Sequence, residues 1–229
     1  MMLAEGDADG LVAGEDATYP DTLRPALEVV GTAPHVNHVA GLYMMILQQD
    51  LMFFADTTVN IDPDAETLAE IALLSAAFVK RLGIEPRIAM LSFSNFGSSR
   101  HPQTDKVRAA VEIVKRRAPD LVVDGEMQAD TAVVPEILEH SFQFSTLNQP
   151  ANVLIFPDLD AANICYKLLA RLGGAEAIGP ILLGMARPVH ILQRGSQAAD
   201  ILNLAAIATV DALRTPADPT KQGRRLKAG

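Results

Sequence analysis

Two stretches of the chain carry residue types suited to holding an anionic ligand. One is Ser92-Phe93-Ser94-Asn95-Phe96-Gly97-Ser98-Ser99-Arg100, which joins an apolar run to a helical pattern. Backbone N–H groups at a helix start, with hydroxyls and an arginine nearby, can hold a phosphate. No Gly-Lys-Ser/Thr follows, so this is not a Walker loop, and a solvated connector is the plainer reading. The other stretch begins at Gly179-Pro180 and ends at Arg194-Gly195-Ser196. Glycines let a backbone approach a ligand closely, and Arg194 could grip a phosphate through two parallel donors. A structural turn explains the same residues.

Other groups are weaker. His35 and His38 lie three apart, and such a pair binds a metal only with a third ligand and a fixed backbone. No Cys/His cluster supplies one, so no metal site is expected. Asp124, Asp130, Asp158 and Asp160 fall near expected strand ends, where paired carboxylates could do acid–base or metal work. Helix capping explains Asp130 and Asp158 more simply. Cys165, beside Ile164 in an apolar helical stretch, reads as a small core residue rather than a nucleophile.

The elements that must position these groups alternate along the chain. Residues 3–22 read as loops. Val39–Leu47 and Leu51–Asp56 are apolar runs around a polar turn, a hairpin pattern. Asp62-Pro63-Asp64 opens a helix, with Asp62 as cap, and Leu68, Ile71, Leu74, Phe78 and Leu82 form its apolar face. A strand over 88–93 precedes a helix with Val107, Ala110, Val111 and Val114 inward. Strands over 121–124, 152–156 and 178–183 then alternate with helices over 130–139, 159–172 and 197–213. This pattern implies a layered α/β fold with a largely parallel sheet, which binds ligands beyond the carboxyl ends of its strands. The tail after Thr215 is expected to be disordered.

Composition narrows the functional classes. The 229 residues allow one large or two small domains with a sizeable core. A formal net charge of -9 repels phosphate backbones, and 5% aromatic residues with no Trp give no base-stacking platform, so nucleic acid is not an expected partner. No apolar run reaches the ~18–20 residues needed to span a membrane, and no signal-peptide pattern stands at the start. A single cysteine fits a reducing cytoplasm.

Several longer segments resemble one family. They are Ala8-Asp9-Gly10-Leu11-Val12, Asp21-Thr22-Leu23-Arg24-Pro25-Ala26-Leu27, Asp124-Gly125-Glu126-Met127-Gln128-Ala129-Asp130, Ala151–Leu159, Tyr166-Lys167, Gly174–Ile181 and Arg194-Gly195. In this order, over nearly the whole chain, they resemble the phosphate acetyl/butyryltransferase family. The resemblance implies a three-layer α/β sandwich with a largely parallel sheet, of the isocitrate/isopropylmalate dehydrogenase type, with two subdomains and a dimer. Residues 31–186 would form one subdomain, and 1–30 with 187–215 would be the remnant of the other, ahead of a disordered tail over 216–229. The family's domain is longer at its N-terminus, so the chain reads as starting within the domain.

The resemblance also implies a site. The family pairs a Ser with an adjacent Arg-Gly and a later Asp; here those positions hold Gln193, Arg194 and Asp200. A family His-Ser-Thr stretch is here Ala17-Thr18-Tyr19, and a second phosphate-binding arginine is kept as Arg24. Losing a hydroxyl aimed at developing charge weakens catalysis more than binding, so no residue is assigned to catalysis. The ligand set is Thr18, Tyr19, Arg24, Gly179, Pro180, Arg194, Gly195 and Ser196. Phe54–Pro63, and Ser94–Ser98 with Arg100-His101-Pro102, resemble in particular the domain fused to NADP-dependent malic enzymes. There it senses acetyl-CoA and aids oligomer assembly. The expectation is therefore a regulatory domain for acetyl-CoA or CoA, in a homo-oligomer, behind an N-terminal malic enzyme domain to which NADP and Mg or Mn would belong. Alternatives are a working phosphate acetyltransferase, using Arg194, Asp200 and Arg24, and a purely structural oligomerisation domain.

Overall fold

A computed structural model of the protein describes residues 1–14, 16–48 and 50–214. Its elements, in chain order, are α1 (Met2–Glu5), β1 (Leu11–Ala13), α2 (Tyr19–Val29), β2 (Ala40–Leu47), β3 (Asp50–Ala55), α3 (Ala65–Arg81), β4 (Arg87–Leu91) and α4 (Pro102–Arg117). There follow β5 (Val122–Met127), α5 (Ala129–Val133), α6 (Pro135–Ser141), β6 (Val153–Ile155), α7 (Leu159–Leu172), β7 (Glu176–Leu183), β8 (Val189–Ile191) and α8 (Ala198–Arg214). The chain divides into two compact units, Val36–Gly184 and Met1–His35 with Met185–Gly229. The tail expected to be disordered lies outside the described residues. No helix among the described residues is long and apolar enough to cross a membrane.

Unit Val36–Gly184 is built on a six-stranded sheet in the order β5-β4-β6-β3-β2-β7. β5, β4, β6 and β3 pair in parallel, while β2 is antiparallel to both β3 and β7. The hairpin of β2 and β3 turns tightly, with Leu47 opposite Asp50, and Gln48 takes a φ of 53° in the turn.

Strand alternation sends neighbouring side chains to opposite faces. Phe53 meets Phe78 of α3 on one face. Phe54, Ala89, Leu91 and Leu154 pack with Ala132, Leu138, Ala162 and Tyr166, from α5, α6 and α7, on the other. Helices thus cover both faces, which is why Ile88-Ala89-Met90-Leu91 is apolar without alternation.

Local rules explain where the elements differ from expectation. The cap of α3 is Asp64, not Asp62: Asp64 Oδ1 accepts the N–H of Thr67 at 2.8 Å, the spacing a cap requires. Asp62 instead accepts from Lys106 Nζ at 2.9 Å. The backbone bond from Thr67 holds the Asp64 carboxyl below the usual Asp value of 3.8. A depressed carboxyl contributes stability above that value and loses it as pH falls through the lower folded one. Asp64→Ala is expected to cost about 1 kcal/mol in urea unfolding at neutral pH, and progressively less in acid below pH ~4.

The helix expected over 130–139 is two helices. Pro135 has no N–H to continue α5 and pushes Val134 to extended backbone, φ -101° and ψ 109°. Asp130 therefore caps nothing; Gln128 is the N-cap of α5, and Asp130 Oδ1 accepts only the N–H of Thr131. Asp124 lies inside β5 rather than at its end, bonded by Lys115 Nζ, Ser145 Oγ and the Thr146 N–H at 2.8–3.0 Å. Asp158 does cap α7, through the Ala161 N–H at 2.8 Å.

Candidate functional site

Residues 3–22 are more than loops. β1 pairs in parallel with β8, Leu11 opposite Val189 and Ala13 opposite Ile191. The pair is extended by Leu192 N–H donating to the Ala13 carbonyl at 2.8 Å. Both strands therefore end side by side, and each feeds a helix. β1 leads through Gly14 to α2, capped by Thr18, whose Oγ1 accepts the Asp21 N–H. β8 leads through Gln193–Gln197 to α8.

Gly14 makes this junction possible. At its φ of +110°, an added Cβ would stand 3.0 Å from Ile191 Cγ2, 3.1 Å from Thr22 Oγ1 and 3.3 Å from the Leu192 carbonyl. Only a glycine lets the end of β1, α2 and the end of β8 come this close. The elements carrying Thr18, Tyr19 and Arg24, and those carrying Gln193, Arg194, Gly195, Ser196 and Asp200, thus adjoin at one edge of one unit. That edge is the carboxyl end of parallel strands, with two helix N-termini opening on it, where such sheets hold anions.

The side chains there are specific in their placement. Arg24 and Arg194 are exposed, and Tyr19 is half-buried. Ser196 donates both its Oγ, at 2.7 Å, and its N–H, at 3.1 Å, to the Gln193 carbonyl. Asp200 Oδ2 accepts the Gln197 N–H at 2.7 Å, closing the first turn of α8. Gly195 takes a φ of +82° between them.

The remaining candidates, His35 apart, lie in the other unit. Gly179 and Pro180 belong to β7, and Pro180 is buried. The close approach expected at Gly179 is made by the Tyr43 ring and the Leu42 carbonyl, which would stand 2.7 and 2.9 Å from an added Cβ. The loop Ser92–Arg100 is not an open phosphate cradle. The N–H groups of Phe96 and Gly97 go to Glu126, that of Ser98 to the Asn95 carbonyl, and those of Asn95 and Ser99 to Ser98 and Ser94 hydroxyls. The loop wraps the fully buried Glu126, whose Oε1 also accepts from Ser94 Oγ and Arg108 Nη1 at 2.9 and 3.1 Å. Nothing in the loop's own sequence announces a partner that arrives from β5.

His38 Nδ1 lies 2.9 Å from Glu70 Oε2, and Glu70 also accepts the N–H groups of Asn37 and His38. The carboxylate anchors this turn, while His35 is exposed. Among the described residues no three His, Cys, Asp or Glu side chains are grouped to hold a metal. Cys165 is half-buried against the core around Tyr166, and burial pushes its thiol up.

A parallel strand pair ends here in two helix starts, with Arg194 exposed in the turn after β8, on an α/β frame. The chain belongs to the phosphate acetyl/butaryl transferase family, whose model matches residues 1–209. It is 46% identical to the phosphate acetyltransferase of Bacillus subtilis over 213 residues, covering 93% of this chain and 66% of that protein. It is 41% identical to the NADP-dependent malic enzyme of Escherichia coli over 218 residues, 94% of this chain and 29% of that protein. Among solved structures it is similar to a phosphotransacetylase from Streptococcus pyogenes, with a TM-score of 0.89 at 45% identity over 93% of this chain and 65% of that one. The chain thus spans just under two thirds of the length of these acetyltransferases.

Proposed function

We propose that this chain is a phosphotransacetylase-like regulatory domain that binds acetyl-CoA or CoA and does not transfer acetyl groups at an effective rate. The observation that carries this is the end of β8. Arg194 is exposed there in the turn that leads into α8, which suits a phosphorylated ligand. Gln193 stands where, by resemblance, transferases place the serine hydroxyl. The anion-holding part is kept and the hydroxyl aimed at developing charge is not. Binding then survives while transition-state stabilisation is lost.

Similarity to the malic enzyme supports a setting behind such a domain, within a homo-oligomer, with NADP and Mg or Mn belonging to that domain. To regulate a distant active site, the effector must bind one arrangement of the assembly more tightly than the other. A second reading, a working phosphate acetyltransferase, is favoured by the 46% identity to one and by the retention of Arg24, Arg194 and Asp200.

Calorimetric titration of the full-length protein with acetyl-CoA, beside free CoA and acetyl phosphate, tests both. We expect saturable binding of acetyl-CoA, and no acetyl phosphate formed from acetyl-CoA and inorganic phosphate above background. Turnover would overturn the regulatory reading in favour of the transferase. Absence of binding by folded protein would leave a structural, oligomer-forming role.

A further inference from the structure

We propose that Asp200 and Ser196 are positioning residues, which lock the turn from Gln193 to Gln197 so that Arg194 is presented to the ligand in a fixed direction. The inference rests on the reading of this chain as an acyl-CoA-binding domain. Its basis is a set of bonds that involves no ligand. Ser196 ties its Oγ and N–H to the Gln193 carbonyl, across Arg194 and Gly195. Gln197 Nε2 donates to the Gly195 carbonyl at 3.2 Å. Asp200 accepts the Gln197 N–H through Oδ2, and its own N–H donates to the Gln197 backbone carbonyl at 3.0 Å, so two bonds close the first turn of α8. The other end of the turn is pinned to the sheet through Leu192 and Ala13.

An exposed arginine on a loose turn loses conformational freedom when it binds, and that cost subtracts from affinity. A turn closed at both ends has lost that freedom on folding. Asp200 so employed holds a helix start, and need not take a proton from the ligand. The amide oxygen of an asparagine can accept the same Gln197 N–H, whereas alanine cannot.

A double-mutant cycle on the full-length protein, read by acetyl-CoA calorimetry, tests this. Asp200→Ala is expected to weaken binding about fivefold, the effect of a lost cap, and Asp200→Asn to stay within about twofold of wild type. Ser196→Ala shifts affinity in the same direction by a smaller factor, and carries the cycle should the Asp200→Ala protein fail to fold. In an Arg194→Ala background the Asp200→Ala and Ser196→Ala effects vanish, because they act through the arginine. Full additivity with Arg194→Ala, or an Asp200→Asn protein as weak as Asp200→Ala, would overturn the positioning role while leaving the domain's ligand intact. A folded wild-type protein that ignores acetyl-CoA would overturn both.

Discussion

Asp56→Ala is expected to cost about 4 kcal/mol of unfolding free energy, the largest effect of any single substitution considered for this protein. Asp56 is 3% exposed at the end of β3. Its Oδ1 accepts the N–H groups of Gly41, Thr58 and Val59 at 3.0, 2.8 and 3.1 Å. Its Oδ2 accepts from the Asn60 N–H and from Asn60 Nδ2. One carboxylate therefore shapes the loop after β3 and ties it to β2. A buried donor left without an acceptor costs about 1–3 kcal/mol. Alanine orphans several at once, and water entering the space recovers part of the loss. Asparagine keeps one acceptor oxygen for the three donors on Oδ1 but sets its own N–H groups against Asn60, so about half the penalty is expected.

The pH dependence has a definite sign. Burial pushes the Asp56 carboxyl up from 3.8, against the pull of the N–H groups of Thr58, Asn60, Gly41 and Val59. The folded chain then binds this proton more tightly than the unfolded chain. Its contribution is fullest below the ordinary value and declines as pH rises through the folded one. Asp56→Asn removes that decline. Urea unfolding of both variants across pH 3–7 checks the prediction; an alanine variant as stable as wild type would mean that water replaces the carboxylate.

Asp56 also shows what the sequence hides. The helix over 159–172, with Asp158 as its cap, was legible because spacing and capping are local. So were the hairpin of β2 and β3 and the inward face of α4, since periodicity reports burial directly. Tertiary partners are not written locally. β1 is three residues long, and its partner β8 lies at the other end of the chain. α2 has Pro20 as its second residue and carries Pro25 within it, which masks its helical pattern. The loop Ser92–Arg100 has the right composition to cradle an anion, and holds one that the protein supplies itself, Glu126. At the candidate site, residue types and resemblance singled out Arg194, Gly195 and Asp200. The contact between Asp200 and the Gln197 N–H was not legible, since glutamine is not a residue type that marks a helix cap.

If the chain binds acetyl-CoA as proposed, Arg194 acts on that affinity. Arg194→Ala is expected to weaken binding by about 1.5–3 kcal/mol, roughly ten- to a hundredfold. An exposed ion pair by itself is worth no more than about 1 kcal/mol. The larger figure follows because a guanidinium offers two parallel donors to a phosphate, and because the starts of α2 and α8 add partial positive charge at the same edge. Arg194→Lys separates these contributions: it keeps the charge and loses the fork, so an intermediate affinity with steeper salt dependence is expected. Neither substitution should move the unfolding free energy by more than about 0.5 kcal/mol, because the side chain is exposed. Titration of both variants beside wild type at low and physiological salt is the check. Unchanged affinity in Arg194→Ala would place the ligand away from the end of β8. Equal affinity of the Lys and Arg proteins would mean that the site reads charge alone, and that the fixed direction of the turn contributes nothing.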